Sequence, residues 1–239
     1  MGDRIFINAE WRYLAMLNYR VAPDLLAPRI PVGTELDLFG DSAFVSLVGF
    51  RFISTKIFGI SIPFHRNFEE VNLRFYVRRS EGGVTKRGVV FIQEIVPRRA
   101  VAAAACLAYN ENYRYLPMAH EIEHSNGGVC VGYAWRLGTC WNGLTVRATG
   151  EPRPMKEGSA EQFIAEHYWG YCSQPGGGSL EYRVEHPPWR VWDVTGGEFS
   201  GDAEQLYGAD FAAMFKKGPD SVLLAEGSPV TVYAGRRLE

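Results

Sequence analysis

Strand-like segments constrain this chain more than any other feature. Residues 11–21, 43–53, 71–78, 88–94, 129–137, 144–149 and 230–233 are rich in β-branched and aromatic side chains and read as strands. Within 71–78, Asn72, Arg74 and Tyr76 alternate with Val71, Leu73, Phe75 and Val77, so each set shares one face. If the apolar row packs on a core, Arg74 points toward a polar cavity; if the sheet is one-sided, Arg74 is solvated. Glu81-Gly82-Gly83 separates two of the runs as a hairpin turn. Helical signals are fewer. They cover 22–26 with Pro23 in first position, the Ala-rich stretch 97–109, 159–168 with a capping box at Ser159 and Gln162, and 209–215. Many strands with a few interspersed helices predict a β-rich α+β fold whose sheet is closed or strongly curved.

The length of 239 residues suits one β-rich domain over residues 1–239. Gln174-Pro-Gly-Gly-Gly-Ser179 is the only linker-like stretch, and it is too short to separate domains. A net charge of -2 lacks the basic excess of a nucleic-acid binder. The longest apolar run, 101–108, is far too short to span a bilayer, which argues against a membrane partner. The start has no signal-peptide pattern. Cys106, Cys130, Cys140 and Cys172 form no CxxC pair and read as buried or partly buried thiols. These features predict a cytoplasmic protein, and no cofactor is implied.

Two segments are candidates for chemistry. His120-Glu121-Ile122-Glu123-His124 fits H-E-x-x-H, in which two His on one helix face hold zinc and the Glu activates a water. Pro117 before it and Ser125-Asn-Gly-Gly128 after it favour a hairpin instead. In a strand, residues four apart sit about 13 Å from each other, too far for one metal ion. A zinc hydrolase built on His120, Glu121 and His124 is therefore the minor alternative. The second segment is Glu94-Ile-Val-Pro-Arg-Arg99. Arg98 and Arg99 at the start of a helix oppose its dipole and call for a nearby anion. Glu94 is then a salt-bridge partner or an acid/base.

The same stretch resembles the strand–turn–helix of acetoacetate decarboxylase, in which a Glu and a Pro precede two lysines. Asn67–Arg78, Tyr115-Leu-Pro-Met-Ala119, residues 161–168 and His186-Pro-Pro-Trp189 are similar, in order, to the uncharacterised YqjF-like family of that superfamily. The resemblance implies a cone-shaped β-barrel or double sheet with a few peripheral helices, and it is compatible with a homo-oligomer. It also implies a pocket. Acetoacetate decarboxylase forms a Schiff base through a lysine, but the lysine positions here hold Arg98 and Arg99, and a guanidinium cannot form that imine. Lys56, Lys86, Lys156, Lys216 and Lys217 fall in loops or polar stretches and offer no replacement. Arginine grips carboxylates bidentately. A pocket with Arg98 or Arg99, Glu94, Glu69, Glu70 and Arg74 would suit a small carboxylate or carbonyl compound. Its owner is then a lyase, hydratase or isomerase with Glu94 as catalytic group, or a non-catalytic binding or sensing domain. In His186-Pro-Pro-Trp189, Trp189 and the nearby Trp192 are expected to pack, with His186 as a pocket residue the alternative.

Overall fold

Alternation along the central strands separates two apolar cores, and the site lies inside one of them. The computed structural model describes residues 4–99, 111–125 and 127–238. Its strands are β1 (Ile5–Val21), β2 (Glu35–Leu36), β3 (Ala43–Ile57), β4 (Phe68–Glu81), β5 (Val84–Val96), β6 (Tyr113–Tyr115) and β7 (Met118–Ser125). They continue with β8 (Gly128–Leu137), β9 (Cys140–Pro154), β10 (Trp169–Ser173), β11 (Ser179–Glu185), β12 (Arg190–Ser200), β13 (Ser221–Tyr233) and β14 (Arg236–Leu238). The described α-helices are short: α1 (Pro23–Leu26), α2 (Ala160–Ala165), α3 (Ala203–Tyr207) and α4 (Ala209–Lys217). Most of the Ala-rich helix expected over 97–109 lies outside the described residues. No helix among the described residues is long and apolar enough to cross a membrane.

All strands belong to one mixed sheet. The path β11-β10-β5-β4-β3-β1-β13 returns on itself, because β11 also pairs β13 through Val184–Val232 and Glu185–Thr231. The seven strands thus form a ring with two thin seams: that closure, and the parallel contact of β10 with β5 at Trp169–Gly88 and Gly170–Val89. Beyond β13 the sheet runs on through β12, β9, β8 and β7. This extension packs Val131, Tyr133, Trp135, Leu144 and Val146 against Ala15, Leu17, Leu47, Leu73 and Phe75 on the outer face of the ring. The result is the β-rich α+β class, part cone-like barrel and part double sheet.

On β4 the expected alternation holds. Val71, Leu73, Phe75 and Val77 join the core between ring and extension, and Tyr76 joins the core inside the ring. Gly82-Gly83 connects β4 to β5 with both residues at positive φ, 59° and 80°, as a tight two-residue hairpin of this twist requires. Elsewhere the alternation is broken. The register of β1 against β3 shifts between Arg12 and Ala15, where Tyr13 takes φ 55°. This bulge lets Trp11 and Leu14 border the same inner space. A shift between Leu73 and Arg74 in the β4–β5 ladder does the same for Phe91 and Glu94.

The helix signals were sound in kind and approximate in length. Ser159 caps α2 by accepting from the Gln162 backbone N–H at 3.2 Å, but the helix stops at Ala165, short of Tyr168. The strand expected over 230–233 is the far longer β13, which contains Gly227 and Pro229. Cys130 is partly buried and Cys172 buried, whereas Cys140 is exposed at the β8–β9 turn, and Cys106 lies outside the described residues. Lys56 and Lys86 lie in strands β3 and β5, and Lys216 and Lys217 end α4, rather than lying in loops. Trp189 and Trp192 are both buried, as expected of packing residues.

Gly170 shows how the ring admits the site. It faces Tyr182 across the β10–β11 ladder, and a Cβ there would overlap the Tyr182 ring. Gly170→Ala is expected to displace that ring and cost about 1–3 kcal/mol, the usual penalty of overpacking. Chemical denaturation would measure it.

Candidate functional site

The ring encloses a cavity of about 90 Å³. That is several times the roughly 10–15 Å³ that one water needs. Its apolar wall includes Trp11, Leu14, Phe50, Phe52, Phe91 and Trp189. Its polar wall is Glu70, Asn72 and Arg74 from β4, Glu94 from β5, Glu111, Tyr113 from β6, Tyr182 from β11, and His167 and His186.

Three carboxyls meet there, and burial governs all three. Glu70 is 3% exposed and Glu94 1%. The Asn72 amide donates to Glu70 at 3.0 Å, and the Tyr113 hydroxyl donates to it at 3.4 Å. Burial raises the Glu70 pKa to about 7, and the Glu111 charge adds to this, against the hydrogen bonds and Arg74. Tyr182 donates to Glu111 at 2.5 Å. Burial first, then the charges of Glu111 and Glu70, push Glu94 well above the ordinary carboxylate range. Burial also raises Glu111, opposed by hydrogen bonds from Glu94 and Tyr182. Glu94 is therefore the member of its pair with Glu111 that keeps the proton at neutral pH.

Arg74 is the cation of this wall and is 8% exposed. One of its Nη atoms donates to the Ile164 carbonyl at 3.4 Å, while its Nε is buried without a hydrogen-bond partner. Glu94 Oε2 and Asn72 Oδ1 are likewise buried and unpartnered. Unmet buried polar atoms cost free energy. A cluster of them beside one cavity makes it a candidate ligand site.

Two histidines complete the wall. His167 Nε2 lies 3.1 Å from Asp37 Oδ2, and Arg87 Nε donates to the same oxygen at 2.6 Å. Burial works to raise the Asp37 pKa, but the hydrogen bonds from His167 and Arg87 outweigh it and hold the pKa below its ordinary value. His186 stacks on Trp189 with ring centroids 4.1 Å apart. Burial lowers both imidazoles to about 4.

The residues singled out in the sequence divide sharply. Glu70, Arg74 and Glu94 border the cavity. Glu69 takes the opposite face of β4 and meets His120 Nδ1 at 2.5 Å. Arg98 and Arg99 do not line the cavity either, because β5 ends at Val96 and carries the chain past it. Arg99 instead lies 4.9 Å over the half-exposed Tyr115 ring. No lysine lines the cavity; Lys86 is held by Glu81 at 2.6 Å and Glu181 at 2.9 Å. The H-E-x-x-H segment is strand β7, paired with β8 from Met118–Trp135 to Ser125–Gly128. His124 contacts the Tyr13 hydroxyl at 3.3 Å, apart from His120 and its Glu69. Among the described residues no group of three His, Cys, Asp or Glu side chains is arranged to hold a metal ion. The zinc alternative therefore lacks the helix and the ligand set that it needs. Glu111, Tyr113, Tyr182, His167 and Asp37 gave no local signal of a site. Apart from Glu111 and Tyr113 they lie far apart in sequence, and only the fold gathers them.

The ring with its extension is an acetoacetate-decarboxylase-like fold, as the solved structures it matches show. MppR, an enduracididine biosynthesis enzyme with HEPES buffer bound, superposes with a TM-score of 0.73 at 14% identity, covering 100% of this chain and 89% of that one. Acetoacetate decarboxylase from Legionella pneumophila gives 0.66 at 16% identity, with 100% and 88% covered. An acetoacetate decarboxylase-like enzyme from Sphingomonas wittichii gives 0.66 at 12% identity, with 100% and 94% covered. The chain belongs to the DUF2071 family, an uncharacterized conserved protein family, which it matches over residues 8–229. The family match and the fold bear out the resemblance as far as an uncharacterised family with an acetoacetate-decarboxylase-like fold. No curated protein matches the chain.

Proposed function

We propose that the ring cavity binds a small carboxylate that also carries a carbonyl, and that the protein is a lyase, hydratase or isomerase working without a Schiff base. The observation that carries this reading is the buried Arg74 with an unpartnered Nε, beside the unpartnered Glu94 Oε2, on one wall of an otherwise aromatic cavity. The guanidinium receives the carboxylate, a charge-assisted contact that is worth more out of water. Glu94, protonated at neutral pH, donates to the carbonyl oxygen as negative charge develops there. The cavity volume limits the ligand to a small acid. MppR is described in complex with pyruvate, which makes pyruvate the first probe.

Ligand-observed NMR with pyruvate tests the reading. The protein is expected to bind pyruvate and to ignore acetone, which has the carbonyl without the carboxylate. Equal binding of the two, or binding of neither, counts against it. Glu94→Gln preserves shape and hydrogen-bonding capacity, so pyruvate affinity is expected to stay within about threefold of wild type while acid chemistry is lost.

A further inference from the structure

The Asp37–His167 pair has no part in holding a carboxylate, yet it is built to a definite end. Asp37 is ionised and accepts at 3.1 Å from His167 Nε2, which therefore carries the ring proton. Arg87, donating to the same Asp37 oxygen at 2.6 Å, and the Tyr76 carbonyl, accepting from the Asp37 backbone N–H at 3.0 Å, fix the carboxylate in turn. The imidazole is packed between the Tyr76 and Phe163 rings, with centroids 4.6 Å and 5.2 Å away. Its remaining nitrogen, Nδ1, is a lone-pair acceptor, buried and without a partner, on a ring that forms part of the cavity wall. A core histidine serving only as packing would bury an unmet acceptor at a cost. An orienting carboxylate behind a neutral imidazole is the arrangement by which a protein holds a base in one tautomer.

We propose that His167 is the proton acceptor of this cavity, and that the site removes and returns a proton on the carbon next to the carbonyl of a bound 2-oxo acid. This rests on the reading of the cavity as a site for a small oxo acid. His167 Nδ1 takes the proton from that carbon, and the C–H electron pair becomes the carbon–carbon double bond of an enol. The carbonyl π pair moves onto its oxygen, which takes the proton of Glu94. The protein is left with an imidazolium at His167 and a carboxylate at Glu94. Reversal of both transfers restores the keto acid, so no oxidant, reductant or second substrate is consumed. Asp37 is a positioning residue: it stabilises the imidazolium and holds the tautomer.

The test is exchange of the pyruvate methyl protons in D₂O, followed by the loss of the methyl signal in proton NMR, with binding measured on the same samples. Wild type is expected to accelerate exchange above the buffer rate. His167→Gln is expected to lower the accelerated rate by about a hundredfold or more while still binding pyruvate. Asp37→Asn, which unsettles the tautomer from the far side of the ring, is expected to bind pyruvate but exchange it slowly. Retained binding also shows that each variant is folded. Wild type that binds pyruvate without exchanging it overturns this inference and leaves the binding site standing. So does a His167→Gln variant that exchanges as fast as wild type. Wild type that does not bind pyruvate overturns the binding reading, and the inference with it.

Discussion

Arg74→Met is expected to weaken pyruvate binding by about a hundredfold or more while leaving the protein as stable as wild type, or more so. A desolvated guanidinium on a carboxylate is worth on the order of 3 kcal/mol, and each 1.4 kcal/mol is about tenfold in affinity. The effect on folding has the other sign. Arg74 is 8% exposed, its Nε has no partner, and its one hydrogen bond reaches the Ile164 carbonyl at only 3.4 Å. Replacing an incompletely satisfied buried charge with an apolar side chain of similar length removes a desolvation cost. A residue kept for packing or for a salt bridge would behave oppositely, losing stability when truncated. Thermal melts and pyruvate titrations on one preparation separate the two. Loss of both stability and binding would make Arg74 a structural residue.

The contribution of the carboxyl cluster to stability is expected to fall as pH rises from about 4.5 to 7. Glu70 is raised from 4.5 to about 7 in the folded protein. Across that window the folded state holds a proton that the unfolded chain has released, so its contribution is full below the unfolded pKa and is lost as pH climbs through the folded one. A shift of this size corresponds to about 3 kcal/mol. His167 and His186, both lowered to about 4, act in the opposite sense. Below their unfolded pKa the unfolded chain takes up protons that the folded state refuses, so they favour folding increasingly as pH rises from about 4 to 6.5. Glu70→Gln isolates the carboxyl. Relative to wild type, its urea midpoint is expected to improve from pH 5 to about pH 7 and then to level off toward pH 8. A constant difference between the two proteins would mean that Glu70 is ionised at every pH in that range. The same titration bears on the ligand, because an ionised Glu70 near Arg74 repels a carboxylate and pyruvate affinity should fall above about pH 7.

The sequence made the architecture legible where alternation is regular. Val71, Leu73, Phe75 and Val77 pack one core while Tyr76 packs the other, as period-two spacing requires of a strand buried on both sides. It was opaque where the register shifts. The bulge at Tyr13 puts Trp11 and Leu14 on one face, which strict alternation forbids, and no Gly or Pro stands there to announce it. Closure of the ring was hidden for a similar reason, since it depends on two pairings between segments almost fifty residues apart. For the site, Arg74 could be chosen because it alternates with apolar neighbours on a recognisable strand, Glu94 because it ends a strand before the Pro-Arg-Arg turn, and Glu70 through the family resemblance. Arg98 and Arg99 drew attention as a charged pair at a turn, but that turn leads away from the cavity. His167 sits in a short connection between α2 and β10, and Glu111 just before β6, where no local periodicity encodes side-chain direction.

The most direct test of the site is a crystal structure of the protein soaked with pyruvate. The account predicts pyruvate inside the ring, its carboxylate within hydrogen-bond distance of the Arg74 guanidinium and its carbonyl oxygen facing Glu94. Pyruvate seated elsewhere, or in the cavity with its carboxylate turned away from Arg74, would contradict it.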